Sequence, residues 1–327
     1  MRIVVQVPCL NEEETLPSVL QAIPDSIPGV DEILVLVIDD GSTDRTSEVA
    51  RAHGADRVLR HTAPQGLARS FHDGVRVALE MGADILVNTD GDNQYPSESI
   101  GDLVAPIVAG EADIVVADRQ VHLVEHFSRT KVFLQHLGSR VVSRVAGATI
   151  PDAASGFRAY SRESLMRLNS VTRFSYAMET IIQAGSQRLA IASVPIRTNP
   201  KTRESRLFKS TGQHVTKSAA AIIRSYIMYK PYTIFGFLAA VAAILGITPY
   251  VRYAILLYLG EQGGHLQSLL VGAVLLILAF LAGMLGIVSD LIRTNRILLE
   301  AGLEHAKRNE FERRSLGGGR LHEDHAI

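Results

Sequence analysis

Tryptophan is absent from the 327-residue chain, and there is a single cysteine, Cys9. One cysteine excludes an internal disulfide framework and a cysteine-rich zinc site, and its apolar setting predicts a buried thiol. A basic excess is also absent, because the formal net charge is −1. We therefore expect no nucleic-acid partner. Neither a Walker loop nor a GxGxxG motif is present, so phosphates would have to be held in another way.

Two long runs contain no charged residue: "YTIFGFLAAVAAILGITPYV" at 232–251 and "SLLVGAVLLILAFLAGMLGIVS" at 268–289. Each is long enough to cross a hydrocarbon core about 30 Å thick. Both contain the glycine and alanine that are frequent in membrane helices. The sequence therefore predicts two transmembrane helices, with a buried hairpin in a soluble protein as the alternative.

Basic residues flank these runs unevenly. Seven lysines and arginines lie within 201–230 and seven more within 293–320, whereas the connector between the runs has only Arg252. By the positive-inside rule, we expect an integral membrane protein with both termini and the N-terminal domain in the cytoplasm. Residues 211–231 mix apolar and basic side chains, which fits either an interfacial helix or an ordinary helix packed on the N-terminal domain.

The first 200 residues or so alternate strand and helix patterns. The predicted strands are "RIVVQVP", "DEILVLVIDD", "DRVLRH", "ADILVNTD" and "ADIVVADR". The segment "NEEETLPSVLQAI" predicts a helix with acidic residues in its first turn. The segment "STDRTSEVARAHG" predicts a second helix, with Ser42 or Thr43 as its N-cap. This alternation predicts an α/β fold with a Rossmann-like, mostly parallel sheet and helices on both faces.

Polar residues follow four of these strands, in "LNEEE", "IDDGS", "NTDGDNQ" and "ADR". Ligands of such sheets bind beyond the carboxyl ends of the strands, so we expect these residues to form one site. The acidic end of the second strand could accept hydrogen bonds from a base or a ribose. A set of solvated loops is the alternative.

Asp90, Asp92 and Gln94 offer only oxygen ligands. If the segment is extended, alternate residues point the same way and these three share one side. Oxygen ligands suit Mg²⁺ or Mn²⁺. Two carboxylates are too few for an all-protein cage, so water and substrate phosphates would complete the coordination. An acidic surface turn is the alternative.

Four segments in this order resemble family 2 glycosyltransferases of the GT-A fold: "VPCLNEEE", "VIDDGSTDRT", the "DGD" at 90–92 and "DAASGFRAYSRE". The resemblance is to the branch that includes dolichyl-phosphate mannose synthase and other polyprenyl-phosphate glycosyltransferases. It implies inverting transfer of a sugar from a GDP- or UDP-sugar to a polyprenyl phosphate at the cytoplasmic membrane face. The product would be a lipid-phosphate-linked sugar.

The resemblance also implies roles for residues near the donor. The nucleotide-binding positions would be Pro8, Asn11, Glu12, Asp39, Asp40, Asp90 and Gly91. Asp39 would read the nucleobase, and Asp90, Asp92 and Gln94 would hold the metal and the diphosphate. Gly91 stands where alanine is usual in this branch, an exchange that we expect to be harmless.

Other positions match the acceptor side of the same family. Arg119 and Arg129 would grip the lipid phosphate and, with Asp92, form the catalytic set; Arg129 could instead be a solvated helix residue. The positions near the acceptor would be Asp152, Ser155, Gly156 and Arg158, with Glu179 behind the site. The Gly-x-Ser-Lys element of the branch is missing. This chain offers Arg203, Ser205 and Arg206 there, as a phosphate-gripping loop or a surface charge cluster.

The predicted domains are a catalytic domain at 1–210, a juxtamembrane helix at 211–231, a transmembrane hairpin at 232–292 and a charged tail at 293–327. Homo-oligomers are possible. A processive polysaccharide synthase would need a QxxRW element, which a chain without tryptophan lacks. Other rivals are a membrane glycosyltransferase with another lipid or polysaccharide acceptor, a nucleotidyltransferase, and a non-catalytic membrane scaffold.

Overall fold

The structure, a computed structural model, describes residues 1–121, 129–168, 176–200, 231–260 and 266–323. The chain forms two compact units. The first comprises Met1–Ile222 together with Gly302–Ile327, and the second comprises Ile223–Ala301.

A seven-stranded sheet forms the first unit, in the order β3-β2-β1-β4-β6-β5-β7. The strands are β1 Arg2–Cys9, β2 Glu32–Asp39, β3 Arg57–Arg60, β4 Ile85–Asn88, β5 Ile114–Asp118, β6 Arg158–Ser161 and β7 Ile191–Pro195. Strands β1 to β4 pair in parallel, as do β5 and β7, whereas β6 runs antiparallel to both of its neighbours. The mostly parallel sheet confirms the predicted fold class.

Nine helices lie in the described residues. They are α1 Leu16–Gln21, α2 Thr46–Ala52, α3 Leu67–Glu80, α4 Ile100–Val108, α5 Arg129–Ala146, α6 Arg162–Arg167, α7 Tyr176–Ser186, α8 Pro231–Tyr258 and α9 Leu266–Glu323. The core lies at the middle of the sheet, where every residue of β1 after Arg2 is buried. Burying one Val, Leu or Ile side chain stabilises the fold by about 1.5–3 kcal/mol.

Sequence patterns located five strands, and the structure confirms all five. They did not reveal β6 and β7. Strand β6 has only four residues, too few for a periodic pattern, and it directly follows the loop of the "SGFR" segment. Strand β7 is only partly buried along its length, so its sequence lacks a continuous apolar run.

Two predicted helix starts are wrong. Helix α1 begins at Leu16, after the acidic residues. Asn11, where the predicted helix starts, has a left-handed φ of 56° that an α-helix excludes. Helix α2 begins at Thr46. Its N-cap position is Arg45, and just before it Asp44 Oδ1 accepts from the Thr46 N–H at 3.0 Å. Ser42 instead accepts a hydrogen bond from the Asn11 N–H at 2.9 Å.

The second unit contains both predicted apolar runs, and both are helical. Helix α8 and the segment Leu266–Phe311 of α9 are long and apolar enough to cross a membrane, with mean hydropathies of 2.1 and 2.8. They approach closely at Gly246 and Gly272, where an added Cβ on Gly272 would lie 2.9 Å from the Gly246 carbonyl oxygen. Small residues at such a contact let two backbones pack tightly in lipid.

The end of α9 belongs to the first unit. Lys307 Nζ donates to the carbonyl of Leu168 at 2.9 Å, and Arg308 binds both carboxylate oxygens of Glu163 at 2.6 and 2.7 Å. Part of the predicted charged tail is therefore helix docked beside α6. The predicted domain boundaries at 210, 231 and 292 stay predictions.

Candidate active site

The loops after β1 and β2 interlock at the carboxyl edge of the sheet. Asn11 Oδ1 accepts from the Thr43 N–H at 2.8 Å, and the Glu12 N–H donates to Thr46 Oγ1 at 2.9 Å. Register places Cys9 beside Asp39, so the two strand ends are neighbours. The two motifs thus build one wall of the site. Pro8, Asn11 and Glu12 remain predicted nucleotide neighbours.

The two carboxylates of the "DDGS" segment are buried and hydrogen-bonded within the chain. Asp39 accepts from the Ser42 N–H at 2.7 Å and from the Ser47 hydroxyl. Asp40 accepts from the N–H groups of Gln65 and Gly66, both at 2.8 Å. These bonds fix the loop. The role of Asp39 in binding the nucleobase stays a prediction. In the structure the same carboxylate stabilises the loop through its hydrogen bonds to Ser42 and Ser47.

The acidic segment after β4 is a turn rather than an extension of the strand. Strand β4 ends at Asn88, and Asn93 has a φ of 58°. The argument from strand alternation is therefore wrong. The turn itself brings Asp92 and Gln94 together, since the Gln94 N–H and Nε2 donate to the two Asp92 oxygens at 3.1 and 2.9 Å. Asp90 lies close to Gly156, whose added Cβ would be 3.5 Å from Asp90 Oδ2.

This turn offers a sparse set of oxygen donors. Among the described residues, no group of three or more His, Cys, Asp and Glu side chains is arranged to hold a metal ion. Mg²⁺ is commonly bound by one or two carboxylates, with water and substrate phosphates as its other ligands. Asp90 and Asp92 fit that mode. Gln94 would join them only if its amide turned, because its Nε2 donates to Asp92 here.

Arg119 and Asp152 form a bidentate ion pair beyond the end of β5. Arg119 Nε and Nη2 donate to the Asp152 carboxylate at 2.6 and 2.9 Å, and Gln135 Nε2 adds a bond at 3.1 Å. Burial opposes ionisation of Asp152, but Arg119 and these hydrogen bonds hold its pKa below the ordinary value. Arg119 Nη1 makes no hydrogen bond within the described residues. Sequence reasoning placed both residues near the acceptor but did not foresee that they pair.

Arg158 is fully buried beneath the site. Its guanidinium donates to the carbonyls of Ser155, Ala177 and Ala153 at 2.8, 2.5 and 2.9 Å. A side chain held in this way shapes the "SGFR" loop and does not reach a phosphate in solvent. The expected position of Arg158 near the acceptor stays a prediction. Ser155 is also buried, and its hydroxyl has no partner in the described part of the chain.

Aromatic and amide groups that sequence reasoning missed hold Gly156 in place. Its N–H donates to the Tyr95 hydroxyl at 3.0 Å, and its carbonyl accepts from Asn88 Nδ2 at 2.8 Å. Asn88 also contacts the Tyr176 hydroxyl at 3.2 Å. Burial, and next the charge of Asp90, raise the pKa of Tyr176 well above its ordinary value, so this phenol is neutral. Predicted Glu179 is buried on α7.

Asn199 connects the acidic turn to the chain that follows β7. Its N–H donates to the carbonyl of Gln94 at 3.0 Å, and its Nδ2 donates to the carbonyl of Asn93 at 3.1 Å. The predicted phosphate residues Arg203, Ser205 and Arg206 follow shortly afterwards and lie outside the described residues. Arg129 is the first residue of α5, and its side chain also lies outside what the structure describes.

A family model described as glycosyl transferase family 2 matches residues 4–168, about half of the chain. The chain belongs to glycosyl transferase family 2. The matched residues include the acidic turn, Arg119 and the "SGFR" loop of this glycosyltransferase. They end near α6, before the two apolar helices.

Curated relatives of this glycosyltransferase share 27–32% identity with it. The undecaprenyl-phosphate mannosyltransferase of Micrococcus luteus is 30% identical over 206 residues, 60% of this chain and 83% of that one. The dolichyl-phosphate hexose transferase of Haloferax volcanii is 32% identical over 60% of this chain and 82% of its own. The polyprenol monophosphomannose synthase of Mycolicibacterium smegmatis is 27% identical over 66% and 84%.

Solved structures similar to this chain include glucosyl-3-phosphoglycerate synthase from Mycobacterium tuberculosis. Its complex with Mn²⁺, UDP and glucosyl-3-phosphoglycerate has a TM-score of 0.53 at 25% identity, and covers 69% of this chain and 78% of the synthase. A complex of the same enzyme with Mg²⁺ and UDP has a TM-score of 0.51 at 26% identity, over 68% and 79%. The similarity confirms the GT-A fold.

Gly91 lies directly against the Cys9 side chain, and the expectation that this glycine is a harmless exchange stays a prediction. A Cβ added at Gly91 would lie 2.7 Å from Cys9 Sγ. The thiol is buried and already fills that space. Residues 9 and 91 are thus a matched pair at the floor of the acidic turn.

We predict that Gly91→Ala destabilises this glycosyltransferase by about 1–3 kcal/mol, the usual cost of overpacking, and slows transfer by displacing the turn. Cys9→Ala with Gly91→Ala should restore both, because the smaller side chain makes room. Thermal unfolding in detergent and initial rates would measure the effect. A single Gly91→Ala variant as stable and active as the parent would contradict the pairing.

Proposed function

We propose that this glycosyltransferase moves a sugar from a GDP- or UDP-sugar onto the phosphate of a polyprenyl phosphate. The observation that carries the proposal is the position of Arg119. Burial disfavours its charge, but Tyr95, Asp152 and Asp90 together raise the pKa of Arg119 above its ordinary value. A permanently charged guanidinium beside the acidic turn can bind one phosphate next to the diphosphate of the donor. The names of the curated relatives support the lipid acceptor.

The acceptor supplies its own nucleophile. A phosphate monoester has a second pKa near 6, so much of it is dianionic at neutral pH and no general base is required. One of its oxygens bonds to the anomeric carbon while the bond from that carbon to the donor diphosphate breaks. The electron pair leaves with the nucleoside diphosphate, and this single displacement inverts the anomeric centre.

The chain positions the two substrates for this step. Asp152 fixes the guanidinium plane of Arg119, which leaves Nη1 for the acceptor, and Arg129 is proposed to bind the same phosphate. Asp90 and Asp92, with Gln94, would hold Mg²⁺ or Mn²⁺, which offsets the charge of the departing diphosphate when bound. Arg203, Ser205 and Arg206 are proposed to close over the phosphates.

The membrane helices complete the proposal. A polyprenyl acceptor keeps its tail in lipid, so its phosphate is presented at the membrane surface. Helix α8 and the apolar part of α9 would anchor the catalytic unit at that surface. The distribution of lysine and arginine supports placing the catalytic unit and both termini in the cytoplasm.

An acceptor comparison tests the proposal. The full chain in detergent receives a labelled nucleotide-sugar with Mg²⁺ or Mn²⁺ and either a polyprenyl phosphate or 3-phosphoglycerate, the acceptor class named by the similar solved structures. Label entering the organic phase only with polyprenyl phosphate supports the lipid acceptor. Label found only in phosphoglycerate would contradict the lipid acceptor and would identify phosphoglycerate as the acceptor instead.

We expect Arg129→Ala to raise the KM for polyprenyl phosphate more than tenfold and to leave the KM for the nucleotide-sugar nearly unchanged. A lost charge-assisted contact to phosphate costs about 1.5–3 kcal/mol. Arg76→Ala, which removes an exposed arginine of α3, is the matched control. An increase confined to the donor KM would show that the acceptor assignment is wrong.

A further inference from the structure

One peptide of the "SGFR" loop is held on both sides by residues that flank the acidic turn. Asn88 ends β4 just before the turn, and Tyr95 comes just after it. The Gly156 N–H donates to the Tyr95 hydroxyl at 3.0 Å, and the Gly156 carbonyl accepts from Asn88 Nδ2 at 2.8 Å. These three residues are called the Gly156 clamp. In the sequence, its two side chains lie on either side of Asp90 and Asp92.

Both side chains of the clamp are buried and have fixed orientations. Asn88 is 0% exposed and Tyr95 is 6% exposed. Asn88 Oδ1 accepts from Gln6 Nε2 at 2.7 Å, so the amide presents its N–H groups toward Gly156. The ring of Tyr95 stacks on Phe157, with the ring centroids 5.3 Å apart. Hydrogen bonds are electrostatically stronger in a buried, low-dielectric setting than in water, so the clamp is rigid.

The clamp joins the two halves of the proposed site. On one side are Asp90 and Asp92 of the acidic turn. On the other side is the loop that begins with Asp152, the partner of Arg119, and continues to Gly156. The two halves are close, since a Cβ added to Gly156 would lie 3.5 Å from Asp90 Oδ2. A shift of this one peptide would therefore change the spacing between the donor groups and the acceptor groups.

Side chains rather than backbone bonds connect these two loops. Strands β4 and β6 pair up to Asn88 and Arg158, where the ladder ends. Beyond that point, in the described part of the chain, no backbone–backbone hydrogen bond joins residues 89–95 to residues 152–157. The amide of Asn88 and the hydroxyl of Tyr95 extend the connection from the sheet to the loops. Loss of either group should loosen the loops and leave the sheet itself paired.

We propose that Asn88 and Tyr95 are positioning residues of the transfer step. By holding Gly156, they fix the acceptor phosphate at Arg119 relative to the anomeric carbon of the donor. This inference rests on the proposed function. Direct displacement needs aligned reacting atoms about 3–3.5 Å apart, and a misplacement of about 1 Å can cost about 10²-fold in rate.

A loosened clamp should favour water over the lipid as acceptor. When the phosphate no longer fills the line of attack, the oxygen of a water molecule bonds to the anomeric carbon in its place. The bond from that carbon to the diphosphate breaks, the nucleoside diphosphate leaves with the electron pair, and the water releases its proton to the solvent. The product is a free sugar, so the fraction of donor that is hydrolysed reports on the alignment of the acceptor.

The partition between transfer and hydrolysis tests the proposal with the full chain in detergent. The chain receives a labelled nucleotide-sugar, a divalent cation and saturating polyprenyl phosphate, and the label is counted as lipid-linked sugar and as free sugar. Tyr95→Phe keeps the ring that stacks on Phe157 and removes only the hydroxyl that binds Gly156. Tyr160→Phe is the matched control, because Tyr160 is fully buried and its hydroxyl has no partner among the described residues.

We expect Tyr95→Phe to lower the kcat of transfer about tenfold or more, with the KM for the nucleotide-sugar nearly unchanged. The fraction of consumed donor that appears as free sugar should rise several-fold. Asn88→Ala, which releases the other side of the same peptide, should shift the partition in the same direction, and Tyr160→Phe should match the parent.

A purely structural role would lower transfer and hydrolysis in equal proportion. An unchanged partition in Tyr95→Phe would therefore overturn the proposal, whatever the size of the loss in rate. A parent chain that gives no lipid-linked sugar would instead overturn the proposed function, and the positioning role with it.

Discussion

Asp92→Ala should lower the rate of sugar transfer by at least about 10²–10³-fold, the usual cost of removing one preorganised electrostatic group. The substitution takes away one of the two carboxylates of the acidic turn. It also removes the acceptor of both hydrogen bonds from Gln94, so the third predicted ligand loses its position.

The Asp92 variant should still fold. Neighbouring carboxylates repel in the absence of a cation, so removing one of them costs little stability. Glu98→Ala, at an exposed position of the same loop region, is the control and should retain full activity. Transfer by Asp92→Ala at the parent rate, or a parent rate unchanged by a chelator, would contradict the metal role of this turn.

Asp152→Ala should reduce the free energy of unfolding by about 3–5 kcal/mol, because it leaves the guanidinium of Arg119 in a buried position without its counter-charge. The Asp152 side chain is 0% exposed and that of Arg119 is 18% exposed, so water can replace the lost partner only in part. Chemical unfolding in detergent would measure the difference. Arg76→Ala, which breaks an exposed pair, should cost no more than about 0.5 kcal/mol.

A double variant separates pairing from burial. Arg119→Met with Asp152→Leu removes both charges and should be more stable than Asp152→Ala, while losing transfer activity.

The ion pair of Arg119 and Asp152 also predicts that stability depends on pH. Because the pKa of Asp152 is lowered by folding, its stabilisation is complete above the ordinary aspartate pKa and is lost as pH falls through the folded value. Equal stability of Asp152→Ala and the parent at neutral pH would contradict a structural pair.

The fold was predictable where apolar runs are long. Strands β1, β2 and β4 each contain a run of apolar residues, and the two membrane-length runs need only their length to be recognised. Strand β6 could not be found in this way, because its place in the sheet is decided by antiparallel pairing with β4 and β5. Such pairing joins residues far apart in sequence and leaves no local pattern.

The site was predictable in its residue types and less so in its contacts. Asp92 and Gln94 do meet, but through a turn at Asn93 that a strand argument could not foresee. Arg158 was expected near the acceptor, and its sequence position could not reveal that it is fully buried and bonded to carbonyl groups. Cys9 and Gly91 constrain each other only because β1 and β4 are adjacent in the folded sheet.

The mass of the lipid product tests the central claim most directly. The full chain would be incubated with a polyprenyl phosphate, a divalent cation and each of a panel of GDP- and UDP-sugars, and the lipid extract analysed by mass spectrometry. We predict one new lipid that equals the acceptor plus one sugar residue and retains a single phosphate. No new lipid with any donor, or a product that carries a sugar on a diphosphate, would contradict direct transfer onto the acceptor phosphate.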